Sequence, residues 1–436
     1  MSLSKPMRAF DGGDRPAALS GEPGGPVSAR TAWLAGIGLF CLEALQSVAV
    51  LPVLLQWMPA ADVALWVGLS ASTGLVNVTA ASYGPLLVRG VALAAGPARQ
   101  GSPRNWLALR RAFDRGGLPL WLLLHGAFVA ALLSRSAAPP LTAWATAGLL
   151  SVALACRLLA YNRFMLLNGL GWVGRDKLLL ALGGAVTLVG TLLLGHALGS
   201  ALGMALASLC GSVVLLLGAS RAERQLRAPA LLARIAAPGR RRMIGLLLLN
   251  LSGWMNLGTD IVLASHLMPE VQVVGYAFWS KLLTMLLLPL GLYAQIRFPN
   301  WVTSNAAATR RELKHWFVGL MLLPPGMLLL YAMTAMSASP LTQLCTPAHW
   351  VIAVLACNTA LAGATLISGQ LSAARGAFGF LWPSVAVGMA APVLAASVNW
   401  AWPATGSFVL GYLVVNVLLL AINARHALRT LQPAKP

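Results

Sequence analysis

Charge is what this chain lacks most. Only 10% of its 436 residues are charged, where soluble domains carry roughly 25%, and only 11 are acidic. That scarcity excludes an ordinary water-soluble domain. Catalytic apparatus is equally sparse. No Gly-rich phosphate loop ends in Lys-Ser or Lys-Thr, which excludes direct ATP drive within the chain, and no G-x-S-x-G or H-E-x-x-H pattern occurs. The six histidines form no ligand pair at helical spacing. Cys41, Cys156, Cys210, Cys345 and Cys357 show no paired spacing, so neither a disulfide framework, a metal site nor a cofactor site is indicated. An enzyme is not expected.

Hydrophobicity is what the chain has: 58% of its residues are hydrophobic and the mean hydropathy is +0.75. The net charge of +20 does not imply nucleic acid. The basic residues stand in short connectors beside apolar runs near the ~20 residues a bilayer requires, where anionic membrane lipids are their partners. The pattern predicts an all-α integral membrane protein of about twelve transmembrane helices, near 32–57, 63–87, 117–134, 141–161, 178–195, 200–219, 243–266, 271–296, 316–337, 348–371, 377–397 and 406–424. The first run is too long for the core of a cleaved leader.

Positive charge orients these spans. Of the 31 Lys and Arg, all but Arg135, Arg157 and Lys281 fall in alternate connectors or at the two ends. Cytoplasmic loops retain such residues, so both termini are expected in the cytoplasm and the membrane is expected to be a bacterial inner membrane. The chain divides into a disordered tail (1–31), a first six-helix bundle (32–219), a basic linker (220–242), a second bundle (243–425) and a short tail (426–436). The linker holds seven arginines, either as a topology-fixing connector or as an amphipathic stretch on the inner leaflet. No connector on the opposite side is long enough to house a catalytic domain.

The halves repeat. Met58-Pro59 follows the first span and Met268-Pro269 the seventh, an offset of 210 residues. Each is followed by an aromatic residue eight positions after the Met (Trp66, Tyr276) and a Ser four further on (Ser70, Ser280). Six is an even number of spans, so the two bundles are related by a parallel repeat about an axis along the membrane normal.

Proteins of this architecture bind substrates at the repeat interface, and ionisable groups inside spans are costly enough to mark such sites. Glu43 lies about 16 Å into the first span, Asp260 about 9 Å from the outer end of the seventh, Lys281 near the middle of the eighth, and Arg157 near the cytoplasmic end of the fourth. Each has a plainer reading. Arg157 can snorkel to headgroups, Asp260 and Lys281 can pair across consecutive helices, and Glu43 can remain protonated rather than titrate. Gln46, Asn77, Asn250, Asn256 and Asn358 either line a polar centre or tie helices together. Gln46 shares a face with Glu43, and Asn256 with Asp260.

Gly258-Thr259-Asp260-Ile261-Val262-Leu263, then Tyr276 through Lys281, then Phe298-Pro299 form a series that resembles the Wzx-type oligosaccharide flippases of bacterial polysaccharide synthesis, within the multidrug/oligosaccharidyl-lipid/polysaccharide exporter superfamily. Asn162-Arg163 to Gly171 is similar to that family's Arg…Leu-x-Gly-x-Gly connector. The resemblance covers residues 32–425. It implies a V-shaped pair of bundles that moves an undecaprenyl-diphosphate-linked glycan from the inner to the outer leaflet by alternating access, driven by an H⁺ or Na⁺ gradient, beside polysaccharide assembly proteins. Carried over, Lys281, Arg157, Asn256 and Gln46 would contact substrate, and Asp260 and Glu43 would couple the ion. This chain has fewer cations in its spans than such a cavity implies. The alternatives are a cation-coupled drug or small-molecule antiporter of the same superfamily and a non-transporting subunit of a polysaccharide assembly complex.

Overall fold

The computed structural model describes residues 50–76, 103–134, 140–169, 173–224, 240–303, 306–337, 340–374 and 379–431, with a few isolated positions between 38 and 79. A backbone in hydrocarbon must satisfy its own polar groups, and every regular element among the described residues is helical. In chain order they are α1 (Val50–Trp57), α2 (Ala60–Ser70), α3 (Pro103–Leu133), α4 (Pro140–Gly169), α5 (Val173–Leu198), α6 (Ala201–Arg224), α7 (Arg240–Leu257), α8 (Asp260–Leu267) and α9 (Glu270–Thr303). There follow α10 (Ala306–Met321), α11 (Leu323–Met336), a 3₁₀ turn (Pro340–Leu344), α12 (His349–Ala374), α13 (Leu381–Met389), α14 (Ala391–Ala401) and α15 (Phe408–Thr430).

Among the described residues, eight units are long and apolar enough to cross a membrane: α3, α4, α5, α6, α10 with α11, α12, α13 with α14, and α15. The end of the first span is α1, and α2, α7 with α8, and α9 occupy the other places, which completes twelve spans in two bundles of six. Several helices outrun the apolar runs that announce them. The 34 residues of α9 reach about 51 Å at 1.5 Å per residue, well beyond a ~30 Å hydrocarbon core. The stretches expected as connectors at 88–116 and 297–315 are therefore helical from Pro103 onward and over most of 297–315. Hydropathy marks where a helix leaves the bilayer, not where its hydrogen bonds stop. The middle of the basic linker, 225–239, lies outside the described residues.

Three spans are broken. The eleventh breaks at Ala390, just before Pro392, and the ninth at Leu322, just before Pro324 and Pro325. Proline lacks the N–H that would continue the ladder, and its ring clashes with the preceding turn. The seventh breaks at Gly258-Thr259 with no proline, immediately ahead of Asp260.

The two bundles repeat in packing as well as in sequence. In the first, α6 lies against α4 and α5, and α3 against α4; in the second, α15 lies against α12 and α14, and α11 against α12. The turn before α6 contains Gly199 at φ 54° and the turn before α15 contains Gly406 at φ 86°, a left-handed conformation that glycine adopts without a Cβ penalty. Just beyond each turn a second glycine lets helices touch. A Cβ on Gly203 would stand 2.4 Å from the Leu194 carbonyl oxygen, and one on Gly411 would stand 2.4 Å from the Ala395 Cα. Gly411→Val should therefore lower thermal stability by about 1–3 kcal/mol, measured on the purified protein in detergent; an unchanged melting temperature would contradict this packing.

One face of the molecule carries the two Met-Pro turns. The opposite, basic face carries helix ends rich in Arg and Lys, including Arg221, Arg224, Arg240, Arg425 and Arg429. The hydrophobic core differs between them. Its largest cluster takes residues from both bundles, among them Leu54, Leu69 and Leu150 of the first and Tyr276, Trp279 and Val351 of the second. Toward the basic face it divides. Ala160, Phe164, Leu167, Leu215 and Ala219 form one core in the first bundle, and Leu290, Leu313, Ile367, Leu371 and Ala427 another in the second. Among the described residues, the bundles share a core on the Met-Pro side and keep separate ones on the basic side.

The basic end of the first bundle is also locked electrostatically. Arg110 of α3 pairs with Asp114 one turn on, and its Nε lies 2.7 Å from Glu223 Oε1 of α6. Arg163 of α4 lies 3.1 Å from the other oxygen of Glu223, and Asn162 Nδ2 donates to Asp114 Oδ1 at 2.6 Å. Asn162 and Arg163, expected in a connector, are thus helical residues of a buried cluster that ties three spans. Glu223→Gln removes the one acid shared by two arginines and should cost about 1.5 kcal/mol of stability, read as a lower melting temperature. A melting temperature equal to the parent protein's would mean that the cluster contributes nothing net.

Candidate functional site

The break in the seventh span positions an acid. Asp260 is the first residue of α8 and is buried at 6% exposure. Tyr276 Oη of α9 donates to its Oδ2 at 2.8 Å, and Ser280 Oγ donates to the same oxygen at 3.2 Å. Tyr276 and Ser280 are four residues apart, hence on one face of α9. The tyrosine is fully buried and packs on Phe408 of α15 with ring centroids 5.6 Å apart. The other carboxylate oxygen, Oδ1, has no hydrogen-bond donor among the described residues.

The residues around the break continue this polar patch. Thr259 Oγ1 donates to the Met255 carbonyl, which leaves the Tyr412 hydroxyl of α15 to donate to Thr259 at 2.7 Å. Asn256 Nδ2 donates to Asn416 Oδ1 at 2.8 Å, and Asn416 Nδ2 donates to Asn358 Oδ1 at 3.3 Å and to the Tyr412 carbonyl at 3.0 Å. Asn358 in turn donates to the Val409 carbonyl at 3.1 Å. Asn256 Oδ1, like Asp260 Oδ1, has no donor among the described residues. Two buried acceptor oxygens without donors, one of them a carboxylate's, stand at the same helix break. In an apolar medium such groups favour a proton or a small hard cation.

A continuous helix would place Asn256 and Asp260 on one face, but the break divides their roles. Asn256 ends the first piece and bonds to α15; Asp260 begins the second and bonds to α9. The ion pair between Asp260 and Lys281 does not form. Lys281 follows Ser280 on the helix and is turned about 100° away from it. Its Nζ instead reaches across to the first bundle, 3.4 Å from Ser70 Oγ, half-buried and with no ion-pair partner among the described residues. Ser70 and Ser280 are repeat equivalents, so the amine lies at the seam where the two copies meet.

The same seam is closed by an aromatic clasp. Trp254 Nε1 of α7 donates to the Ala71 carbonyl at 3.3 Å, and its ring meets Phe128 of α3 edge-on at 5.7 Å. A side chain on Gly74 would collide with this indole. Nearer the Met-Pro face, His266 Nε2 lies 3.0 Å from the Ala131 carbonyl. The His266 contact joins the bundles near the Met-Pro face, and the Trp254 contacts, beside Ser70, join them at the level of Lys281.

Arg157 is half-buried on α4 with no hydrogen bond or ion pair among the described residues, and no contact brings it to Lys281. Glu43, Gln46 and Asn77 lie outside the described residues. Asn250 is half-buried on α7. Sequence reading missed Tyr412, Thr259 and Asn416 as site members. It did single out Tyr276 and Ser280, but as marks of the repeat rather than as partners of the acid.

These features define a polytopic helical membrane protein of two repeated bundles, with a buried acid in the second and a lysine at the seam between them. Solved structures with a similar fold include transporters. They include a lipid II flippase MurJ in an inward-closed conformation (10% identity, TM-score 0.57, 92% of this chain and 89% of that one). They also include an inward-facing multidrug resistance MATE family transporter of the MOP superfamily (14%, 0.55, 96% and 98%) and a MOP superfamily transporter from Pyrococcus furiosus (14%, 0.54, 93% and 97%). No protein-family profile and no curated protein matches the sequence. The chain has the fold of MOP superfamily transporters and is a multi-pass membrane protein.

Proposed function

We propose that this protein is a secondary transporter of the flippase type, which carries a lipid-diphosphate-linked oligosaccharide from the inner to the outer leaflet of a bacterial inner membrane for surface polysaccharide synthesis. The observation that carries this reading is Lys281, a cation at the seam of the two bundles with no acidic partner among the described residues. A diphosphate is the complementary charge, and Arg157, also without an ion-pair partner among the described residues, is a second contact on the way to the basic face. By the Arg and Lys bias, the basic face is cytoplasmic. The core, divided on that side among the described residues, then fits a state open to the cytoplasm, with the contact of His266 to Ala131 part of the closure on the Met-Pro side. Asn256 and Asp260 belong to an ion-coupling site for H⁺ or Na⁺ inside the second bundle; on the sequence alone, Glu43 is a further candidate for ion coupling and Gln46 for substrate contact. Polysaccharide assembly proteins would deliver and consume the substrate.

A second reading, a cation-coupled antiporter for drugs or other small molecules, is favoured by the donor-free oxygens of Asp260 and Asn256. The two readings separate in a deletion strain. A flippase predicts that complete undecaprenyl-diphosphate oligosaccharide accumulates, by lipid extraction and mass spectrometry, while surface polysaccharide is lost. A normal lipid-linked pool with raised sensitivity to cationic compounds would overturn it in favour of the antiporter.

A further inference from the structure

A groove of about 430 Å³ runs down the outer surface of the second bundle, between α10 and the end of α15. That volume falls within the range of about 300–1,000 Å³ typical of small-molecule sites. Its composition changes along its length. Arg310 and Lys314 stand at the basic-face end, one helical turn apart on the same face of α10. Phe317, Val318, Met321 and Leu322 continue the wall toward the break in the ninth span, and Leu428 closes the side formed by α15. Val318, Met321, Leu322 and Leu428 are all more than half exposed. Arg310 is braced by donating to the Leu431 carbonyl at 3.3 Å, whereas Lys314 is exposed.

We propose that this groove binds an anionic phospholipid, with the headgroup phosphate between Arg310 and Lys314 and one acyl chain along the apolar wall. Two cations at headgroup depth above a slot of hydrocarbon side chains complement that molecule in charge and in polarity, and basic pockets between spans are known to take acidic lipids. A zwitterionic lipid would offer the same chain but no net negative charge. The site faces away from the seam that contains Lys281, so its occupant is not the cargo.

Native mass spectrometry of the full chain in detergent, titrated with phosphatidylglycerol or with phosphatidylcholine of the same acyl chains, tests this. Retention of phosphatidylglycerol should exceed that of phosphatidylcholine. It should fall about 30-fold in Arg310→Ala/Lys314→Ala, the worth of two headgroup charges, and about fivefold in Lys314→Ala, which leaves the Arg310 brace in place. Val318→Trp, which fills the groove and keeps both charges, should lose retention, and Arg311→Ala, on another face of α10, should not. Equal retention of the two lipids, an unchanged double variant, undiminished binding to Val318→Trp, or an equal loss in Arg311→Ala would overturn the proposal. So would preferential capture of a polyprenyl diphosphate, which would make the groove part of the cargo path.

Discussion

Asp260→Asn is expected to abolish gradient-driven transport without unfolding the protein. The substitution keeps the shape of the side chain and an oxygen that can accept from Tyr276 and Ser280, so the hydrogen bonds that seat α8 against α9 survive. What it removes is the negative charge and the ability to take up a proton. A hydrogen bond or contact to a charged group is worth about 1.5–3 kcal/mol, so affinity for the coupling cation should fall roughly 10- to 150-fold. Uptake driven by an imposed Na⁺ or pH gradient in vesicles would then fall to background, while the melting temperature stays near that of the parent. Full gradient-driven flux in Asp260→Asn would remove this residue from the coupling site. Asp260→Leu is the structural control: it strands the Tyr276 and Ser280 hydroxyls in the core and should lower stability as well.

Lys281→Ala should cause the second large loss. Truncating one member of a buried charge contact typically costs 2–5 kcal/mol, so binding of a polyprenyl diphosphate should weaken by at least about 30-fold. The amine contacts the first bundle through one long hydrogen bond to Ser70, so its removal should cost little stability. Surface polysaccharide in a deletion strain complemented with Lys281→Ala should disappear, and Lys281→Arg, which keeps the charge, should restore part of it. Extrusion of a cationic dye should not suffer from the loss of a positive charge. If Lys281→Ala restores polysaccharide fully, the lysine is not the diphosphate contact.

Much of the site was legible in the sequence because the repeat was legible. The Met-Pro, aromatic and Ser landmarks of the two halves became the geometry itself. Tyr276 and Ser280 hold the acid in one copy, and Ser70 meets Lys281 from the other. The cost of burying charge in hydrocarbon singled out Asp260 and Lys281 without any structure. The break at Gly258-Thr259 was harder to see. A hydropathy window averages over it, no proline announces it, and its effect is to send Asn256 and Asp260 to different neighbours. The cluster of Arg110, Asp114, Arg163 and Glu223 was hidden for a related reason. Charged residues at a span's edge read as loop when hydropathy is the only guide, yet helices α3, α4 and α6 continue there and bring the charges together. Tyr412 and Asn416 carried no sequence signal at all, since a lone polar residue in an apolar helix gains meaning only from what lies across from it.

Reconstitution tests the central claim most directly. The purified protein would be placed in liposomes holding a fluorescent polyprenyl-diphosphate oligosaccharide, and the fraction reaching the far leaflet followed by a membrane-impermeant quencher. The account predicts rapid translocation that depends on an imposed Na⁺ or H⁺ gradient, is lost in Asp260→Asn and is lost in Lys281→Ala. Translocation no faster than in protein-free liposomes, with gradient-dependent extrusion of a cationic dye by the same preparation, would contradict it.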